Sequence, residues 1–256
     1  MRLPVKKPQG PNAPLLAIHD SKDPQLNEHT LSRRLERVAA QVPAGARLAD
    51  IGSDHGYLPV ALVRRGVITA AVAGEVAETP FRAATRSVRE NGLQHLIRVR
   101  LASGLAAIEP DDGITAISLC GMGGETIRDI LEAGKARLSG QERLILQPNG
   151  GEQPLRQWLM DNGYRILHEE LLHENRFYYE IIVAERTGPV TYTPEQLYFG
   201  PLNLQVRSPV FFAKWQRLLR LKQRTLAGFE RALQGGAEDR LRALQRQVGW
   251  ITALLK

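Results

Sequence analysis

Between Arg47 and Asn162 the chain alternates short apolar runs with helical stretches, and that alternation constrains its fold more than any other feature. The runs Arg47–Ile51, Ala70–Gly74, Ile97–Leu101, Ile114–Leu119 and Arg143–Gln147 have strand length and aliphatic character. Between them, Tyr57–Arg65, Thr79–Asn91, Glu125–Arg137 and Glu152–Asn162 carry helical spacing. Such a succession predicts an α/β fold with a parallel sheet covered by helices. Two further runs, Tyr164–His173 and Arg176–Glu185, joined by Glu174-Asn175, read as an antiparallel pair that closes the sheet.

Residues 1–30 hold Pro4, Pro8, Pro11, Pro14 and Pro24 with little periodicity and read as an irregular arm. Leu31–Val42 is a short helix by pattern, with Leu35 and Val38 on one face and Arg33, Arg34 and Arg37 on the other. The α/β domain is expected to span 31–186, followed by a linker at 187–208 bearing Pro189, Pro194 and Pro201. In 209–256, Leu241, Leu244, Val248, Ile251 and Leu255 follow a heptad-like seam. Trp215, Leu219, Leu226, Phe229 and Leu233 follow a second seam, interrupted by Lys222, and Gly235-Gly236 separates the two. This predicts an antiparallel helical hairpin, coiled-coil-like, with arginines outward.

The formal charge of +7 is localised: from Pro209 onward ten Lys/Arg oppose three acids, while the preceding residues balance at 24 against 24. A neutral body with a basic end suggests that the end meets a polyanion and the body does chemistry; a solvated helical face is the plainer alternative. The single cysteine, Cys120, excludes an internal disulfide, and no CxxC or HExxH spacing points to a metal. No apolar run reaches membrane-spanning length, and prolines break the N-terminal stretch where a signal peptide would be continuous. A cytoplasmic protein without metal or membrane partner is expected, with a monomer favoured.

The most informative stretch is Leu48-Ala49-Asp50-Ile51-Gly52-Ser53-Asp54-His55-Gly56-Tyr57-Leu58-Pro59, a strand entering a glycine turn and then a helix. In open α/β sheets ligands bind beyond the carboxyl ends of strands, where this turn belongs. A dinucleotide site would carry GxGxxG for a pyrophosphate. Here Asp50 and Asp54 would repel phosphate and instead suit a cation, such as the ammonium and sulfonium of S-adenosylmethionine. Asp54 could alternatively only cap the next helix. Glu75, with Val76 after it, ends the second strand where a ribose can offer hydroxyls, and Ser103-Gly104 border the adenine. Cys120-Gly121-Met122 follow the fourth strand beside the methyl donor, and Gln147-Pro148-Asn149 follow the fifth, with two amides suited to a base edge. The strand count with a closing hairpin fits the class I, Rossmann-like methyltransferase sheet better than the dinucleotide fold.

The stretches LSRRLERVAAQVPAGARLADIGSDHGYLP, AGEVAETPF, SLCGMGGETIRDILEAGK and RLILQPN resemble the bacterial tRNA (adenine(22)-N1)-methyltransferase family. The resemblance runs from about Leu31 to the C-terminus, dense through Glu185 and architectural in the tail. It implies methyl transfer from S-adenosylmethionine to N1 of an adenine in tRNA, and a C-terminal helical domain. One departure is Ser103 in Ala-Ser-Gly-Leu, where the family usually shows an acid; another is the proline-rich arm.

Adenine N1 already holds an in-plane lone pair, so positioning is expected to dominate the chemistry. Asp54 is the candidate for stabilising the cationic product, with His55 and Tyr57 shaping the pocket and Asn149 and Gln147 reading the base. Arg33, Arg37, Lys214, Arg217, Arg220 and Arg224 are the candidate RNA contacts. The competing readings are a small-molecule or protein methyltransferase whose basic helices dimerise, and a non-catalytic RNA-binding protein. A nucleotide-dependent oxidoreductase is disfavoured by the absent GxGxxG.

Overall fold

The centre of the molecule is a sheet whose inner strands are too apolar to face water: Leu48 and Ala49, Ile117 and Leu119, and Leu144, Ile145 and Leu146 are all 0 % exposed. Strands buried on both faces need helices above and below, which only right-handed crossovers supply. The computed structural model describes residues 30–231 and 238–256. In chain order its elements are α1 (Arg33–Ala39), β1 (Ala46–Ile51), α2 (Tyr57–Arg64), β2 (Ile68–Glu75), α3 (Glu78–Glu90) and β3 (Ile97–Leu101). Then come β4 (Ala116–Met122), α4 (Gly124–Ala133), β5 (Arg143–Pro148), α5 (Glu152–Asp161), β6 (Tyr164–Glu174) and β7 (Phe177–Arg186). The chain ends in α6 (Pro194–Phe199), α7 (Asn203–Val206), α8 (Pro209–Arg231) and α9 (Glu238–Leu254).

The seven strands are ordered β3-β2-β1-β4-β5-β7-β6. β1 to β5 are parallel, and β7 pairs antiparallel with both β5 and β6. The expected alternation and closing hairpin are therefore present, with shifted boundaries. β4 continues to Met122 because Cys120 still pairs Gln147 and Met122 pairs Pro148 across a bulge. The stretch expected as one helix, Glu125–Arg137, divides at Gly134, followed by a 3-10 turn at Lys135–Arg137. A Cβ at Gly134 would lie 2.5 Å from Leu105 Cβ, so the close approach admits only glycine. The hairpin turn falls one residue later than expected, with Asn175 in the left-handed region at φ 56°.

α1 is short but doubly capped. The Ser32 hydroxyl accepts the Leu35 N–H at 3.2 Å, and the Glu174 carboxylate accepts the N–H groups of Arg33 and Arg34 at 2.8 and 3.1 Å. The β6–β7 tip thereby fixes α1 over the sheet edge. Residues 187–208 hold α6 and α7; Leu197, Phe199 and Asn203 are buried, so the segment packs tightly. Phe199 joins Leu171, Phe211, Trp215 and Ile251 in an apolar cluster that seats the helical end on the sheet. α8 and α9 run antiparallel, since Trp215 shares that cluster with Ile251 while Lys222 donates to Gln247 at 2.6 Å. The expected arm, Leu233 and Gly235-Gly236 lie outside the described residues, as does the side chain of Phe229.

Beneath this junction lies a buried ionic cluster. Arg156, 0 % exposed, donates to Glu169 at 2.7 Å, to the Leu197 carbonyl at 3.2 Å and to Glu180. Lys214 completes it through Glu180 and, at 3.0 Å, Glu152. No helix among the described residues is long and apolar enough to cross a membrane.

Candidate active site

The sheet order reverses between β1 and β4, and ligands of open α/β sheets lodge at such a switch point. A concave pocket of about 360 Å³ lies there. Its walls include Gly52, Ser53, Asp54, His55 and Tyr57 after β1, Cys120, Gly121 and Met122 at the end of β4, and Arg34 from α1.

The glycine loop is held from below by Asp50. That carboxylate is 4 % exposed and accepts the hydroxyls of Ser53 and Ser118, each at 2.6 Å. Burial raises its pKa, against the two hydroxyls and nearby Arg34. Gly52 takes φ 74°, a conformation that disfavours any side chain, and a Cβ there would lie 2.7 Å from Met122 Cε, which brings the two loops together. Asp54 also sits in the left-handed region, at φ 58°, and its N–H donates to Glu75. Its carboxylate is exposed and lies 3.1 Å from His55 Nδ1. The His55 ring stacks on Tyr57 with centroids 5.1 Å apart and planes at 22°.

Glu75 is 5 % exposed, and burial raises its pKa. The register pairs it with Leu101, and its carbonyl accepts the Ala102 N–H at 2.7 Å. Ser103 and Gly104 therefore follow directly beside it. Val76 and Leu101 are 72 % and 49 % exposed. Exposed aliphatic side chains beside a buried carboxylate offer surface to a flat apolar group that carries hydroxyls at its edge. The residues present thus fit S-adenosylmethionine: acids for its ammonium and ribose, aliphatic surface for its adenine, and at Arg34 a cation for its carboxylate.

The loop after β5 departs from expectation. Gln147 is 0 % exposed: its carbonyl oxygen accepts from Gly121 N at 3.1 Å and from Arg34. Its amide nitrogen donates to the Pro148 carbonyl at 2.9 Å and to Asn149 at 3.0 Å. With each amide group engaged, Gln147 braces the β4 loop and cannot face a base, a correction to the sequence reading; Pro148 is likewise buried. Asn149 is exposed but also tied to that loop, donating to the Gly121 carbonyl at 2.9 Å. Burial, with Asp50 nearby, pushes the Cys120 thiol up, which disfavours a thiolate at this wall of the pocket.

The basic candidates divide. Arg217, Arg220 and Arg224 are exposed on α8. Arg33 is exposed, and Arg37 pairs with Glu170 at 2.7 Å. Lys214 corrects the expectation: it is 7 % exposed and turned inward onto Glu180 and Glu152, where an RNA phosphate cannot reach it. The sequence reading put Arg34 on the outward face of α1 with Arg33 and Arg37, and the structure corrects this: Arg34 lines the pocket, its guanidinium 5.5 Å from the ring of Tyr179, a residue the sequence did not single out. Its 3-4 spacing from Leu31 and to Val38 was the signal that it faces inward. Among the described residues no group of three His, Cys, Asp or Glu could hold a metal.

This sheet order, with an acidic glycine loop after β1 and an acid ending β2, defines an S-adenosylmethionine-dependent class I methyltransferase. The model of the tRNA (adenine(22)-N(1))-methyltransferase family matches residues 48–251. The Bacillus subtilis (strain 168) tRNA (adenine(22)-N(1))-methyltransferase is 38 % identical over 90 % of this chain and 98 % of its own length. The crystal structure of the B. subtilis M1A22 tRNA methyltransferase superposes with a TM-score of 0.83 at 36 % identity, covering 89 % of this chain and 99 % of that one. A Streptococcus pneumoniae structure in complex with S-adenosyl-L-methionine, described as a candidate tRNA (m1A22) methyltransferase, gives 0.79 at 43 % identity over 88 % and 99 %. The chain belongs to the tRNA (adenine(22)-N1)-methyltransferase family.

Proposed function

We propose that this chain methylates N1 of adenine 22 in tRNA, using S-adenosylmethionine, as a cytoplasmic and monomeric enzyme. The observation that carries the reading is the pocket at the β1/β4 switch point, where Asp50 and Asp54 stand in the loop that would otherwise bind phosphate. We assign residues 31–186 as the methyltransferase domain and 209–256 as the RNA-binding helical domain, with the packed segment 187–208 between them. Bound S-adenosylmethionine supplies an electrophilic methyl group on a sulfonium.

The roles of the chain's own residues follow from where they sit. Gly52, Ser53 and the Asp54 carboxylate receive the ammonium end, and Arg34 the carboxylate. Glu75 accepts ribose hydroxyls, Val76 and Leu101 cover the adenine, and Ser103-Gly104 border it. Cys120-Gly121-Met122 form the wall beside the transferred methyl. Asp50 and Gln147 act one layer back, by holding Ser53 and Gly121.

A paired adenine cannot reach this pocket, so the base leaves its helix, and the flat His55–Tyr57 pair is the surface on which it stacks. N1 then attacks with its own lone pair, and no residue needs to remove a proton beforehand. The product base carries a positive charge, which the exposed Asp54 carboxylate stabilises as it develops. Asn149, fixed to the Gly121 carbonyl, orients the base. Arg33, Arg37, Arg217, Arg220 and Arg224 meet phosphates.

The test is transfer of labelled methyl from S-adenosylmethionine to unmodified tRNA, with nucleoside analysis of the product. 1-Methyladenosine that disappears when position 22 is changed to guanine supports the assignment. Cofactor binding without transfer to tRNA refutes it.

A further inference from the structure

Beside the strand-end pocket lies a second, larger cleft of about 570 Å³. Gly150 and Gly151, which directly follow Asn149, line one side of it, and the β6–β7 tip and α8 line the others. None of its lining was needed to build the cofactor site. The lining combines the backbone of Gly150-Gly151 and the Glu125 carboxylate with aromatic and aliphatic surface from Tyr178, Tyr198, Trp215, Phe177 and Leu221, while Glu152 is taken up by Lys214.

Three details argue for a ligand here rather than incidental roughness. Phe177 is 62 % exposed at the tip of a hairpin whose other end of the turn, Glu174, is locked onto α1. An exposed ring on an anchored turn is a presented surface. Trp215 is 3 % exposed, yet its indole N–H has no hydrogen-bond partner, an uncommon state for a buried donor. At the rim, Arg217 donates to the Arg176 carbonyl at 2.8 Å and lies 6.0 Å from the Tyr178 ring, which brings two guanidinium side chains to the hairpin tip.

We propose that this cleft receives a second unstacked nucleotide of the tRNA, a neighbour of the target adenine, its base on Phe177 and its phosphate at Arg176 and Arg217. The inference rests on tRNA being the substrate. Aromatic surface combined with a cationic rim is how proteins hold single-stranded nucleotides. Extruding the target leaves its neighbours poorly stacked, and a site that captures one of them favours the opened RNA over the closed one. Among the lining residues, Glu125 gives the base edge an acceptor and Gly150-Gly151 give backbone groups. A phosphate belongs at the rim, away from Glu125.

The test uses the full chain and an unmodified tRNA transcript. Phe177 is exposed, so folding is not at stake in Phe177→Ala. That variant is expected to weaken tRNA binding, read by fluorescence anisotropy, by about ten-fold and to raise KM for tRNA similarly. kcat and calorimetric affinity for S-adenosylmethionine should hold, and Phe177→Trp should restore tRNA binding. Ultraviolet cross-linking should place a tRNA nucleotide other than the target on the peptide that contains Phe177. Wild-type tRNA affinity and KM in Phe177→Ala overturn the proposal. So does a wild-type dimer that Phe177→Ala converts to a monomer, which would assign the cleft to a second copy of the chain. If the wild-type enzyme methylates tRNA normally while these results fail, only the cleft is wrong; if it neither binds nor methylates tRNA, the substrate reading falls with it.

Discussion

Replacing Arg156 by Met removes the hub that joins α5, β6, β7 and α6. The guanidinium is 0 % exposed, so its loss leaves buried carboxylates rather than a hydrated gap. Glu180 keeps Lys214, and Glu169 keeps the N–H groups of Leu202 and Asn203 at 2.8 and 3.2 Å. Breaking a buried ion pair on one side costs about 3–5 kcal/mol, and these surviving partners place the change in the lower half, about 3–4 kcal/mol. For a chain of this length that corresponds to a fall in Tm of roughly 6–16 °C. The pH dependence gives a sharper check. Burial holds Glu169 above the usual carboxylate range, with Arg156 opposing it. Without Arg156 the folded Glu169 binds its proton more tightly still, while the unfolded chain has the ordinary value. Protonation in the fold relieves the buried charge, so the deficit is smaller at about pH 5.5 than at about pH 8. Adding Glu169→Gln to the variant should recover part of the loss at the higher pH. Denaturant titrations at both pH values measure this. A deficit below about 1 kcal/mol, or one independent of pH, would refute the reasoning.

Asp54→Asn is expected to weaken S-adenosylmethionine binding and, at saturating cofactor, to lower kcat by about ten-fold or more, and Asn149→Ala to lower kcat by about ten-fold with cofactor affinity within a few-fold; normal turnover in both removes their assigned roles. Ser103→Asp, which restores the acid usual in the family, should tighten cofactor binding by roughly 3–10-fold in calorimetry, through a contact to the adenine amine; unchanged affinity would show that the exposed position does not reach it. Combined Arg217→Ala, Arg220→Ala and Arg224→Ala should reduce the slope of log K against log salt for tRNA by about 2–3 and leave cofactor affinity alone, and an unchanged slope takes α8 out of the RNA contact. Burial lowers the Lys214 pKa, but Glu180 and Glu152 outweigh it and leave the ammonium raised, while Glu180, despite burial, is lowered by Arg156 and Lys214. Stability from Lys214 is therefore complete below the ordinary lysine value and lost as pH rises through the raised one; that from Glu180 is complete above the ordinary carboxylate value and lost as pH falls through the depressed one. Lys214→Met should flatten the alkaline limb of stability against pH.

The layers of the fold were legible because periodicity encodes burial directly: Leu144-Ile145-Leu146 reads as a strand covered on both faces, and it is. The cofactor loop was legible for a different reason, since Asp50, Gly52 and Asp54 are close in sequence and a strand–turn–helix has one main way to present them. What stayed hidden depends on contacts distant along the chain. Gln147 and Arg34 are 113 positions apart, and nothing local to either says that one saturates the other. Lys214 looked like its neighbours Arg217 and Arg220 on a basic helix, and only the seating of α8 on Glu180 turns it inward. Charge composition locates a basic end, but which cations point outward is decided by packing.

That distinction bears on how the site manages charge. Three carboxylates surround the pocket, and the structure treats them differently. Asp50 and Glu75 are buried, and burial raises their pKa, so their hydrogen bonds to Ser53, Ser118 and the Asp54 N–H hold the loop in one shape. Asp54 is exposed and held in a left-handed conformation that its neighbours impose. A carboxylate whose backbone is fixed in this way needs little reorganisation, which is what the proposed stabilisation of a newly cationic base requires. Arg34 would oppose such a base, yet its guanidinium is engaged by Gln147 and lies 5.5 Å from the Tyr179 ring. In the proposed reading Arg34 therefore serves the carboxylate of the donor, while Asp54 serves its ammonium and the charge that develops on the base.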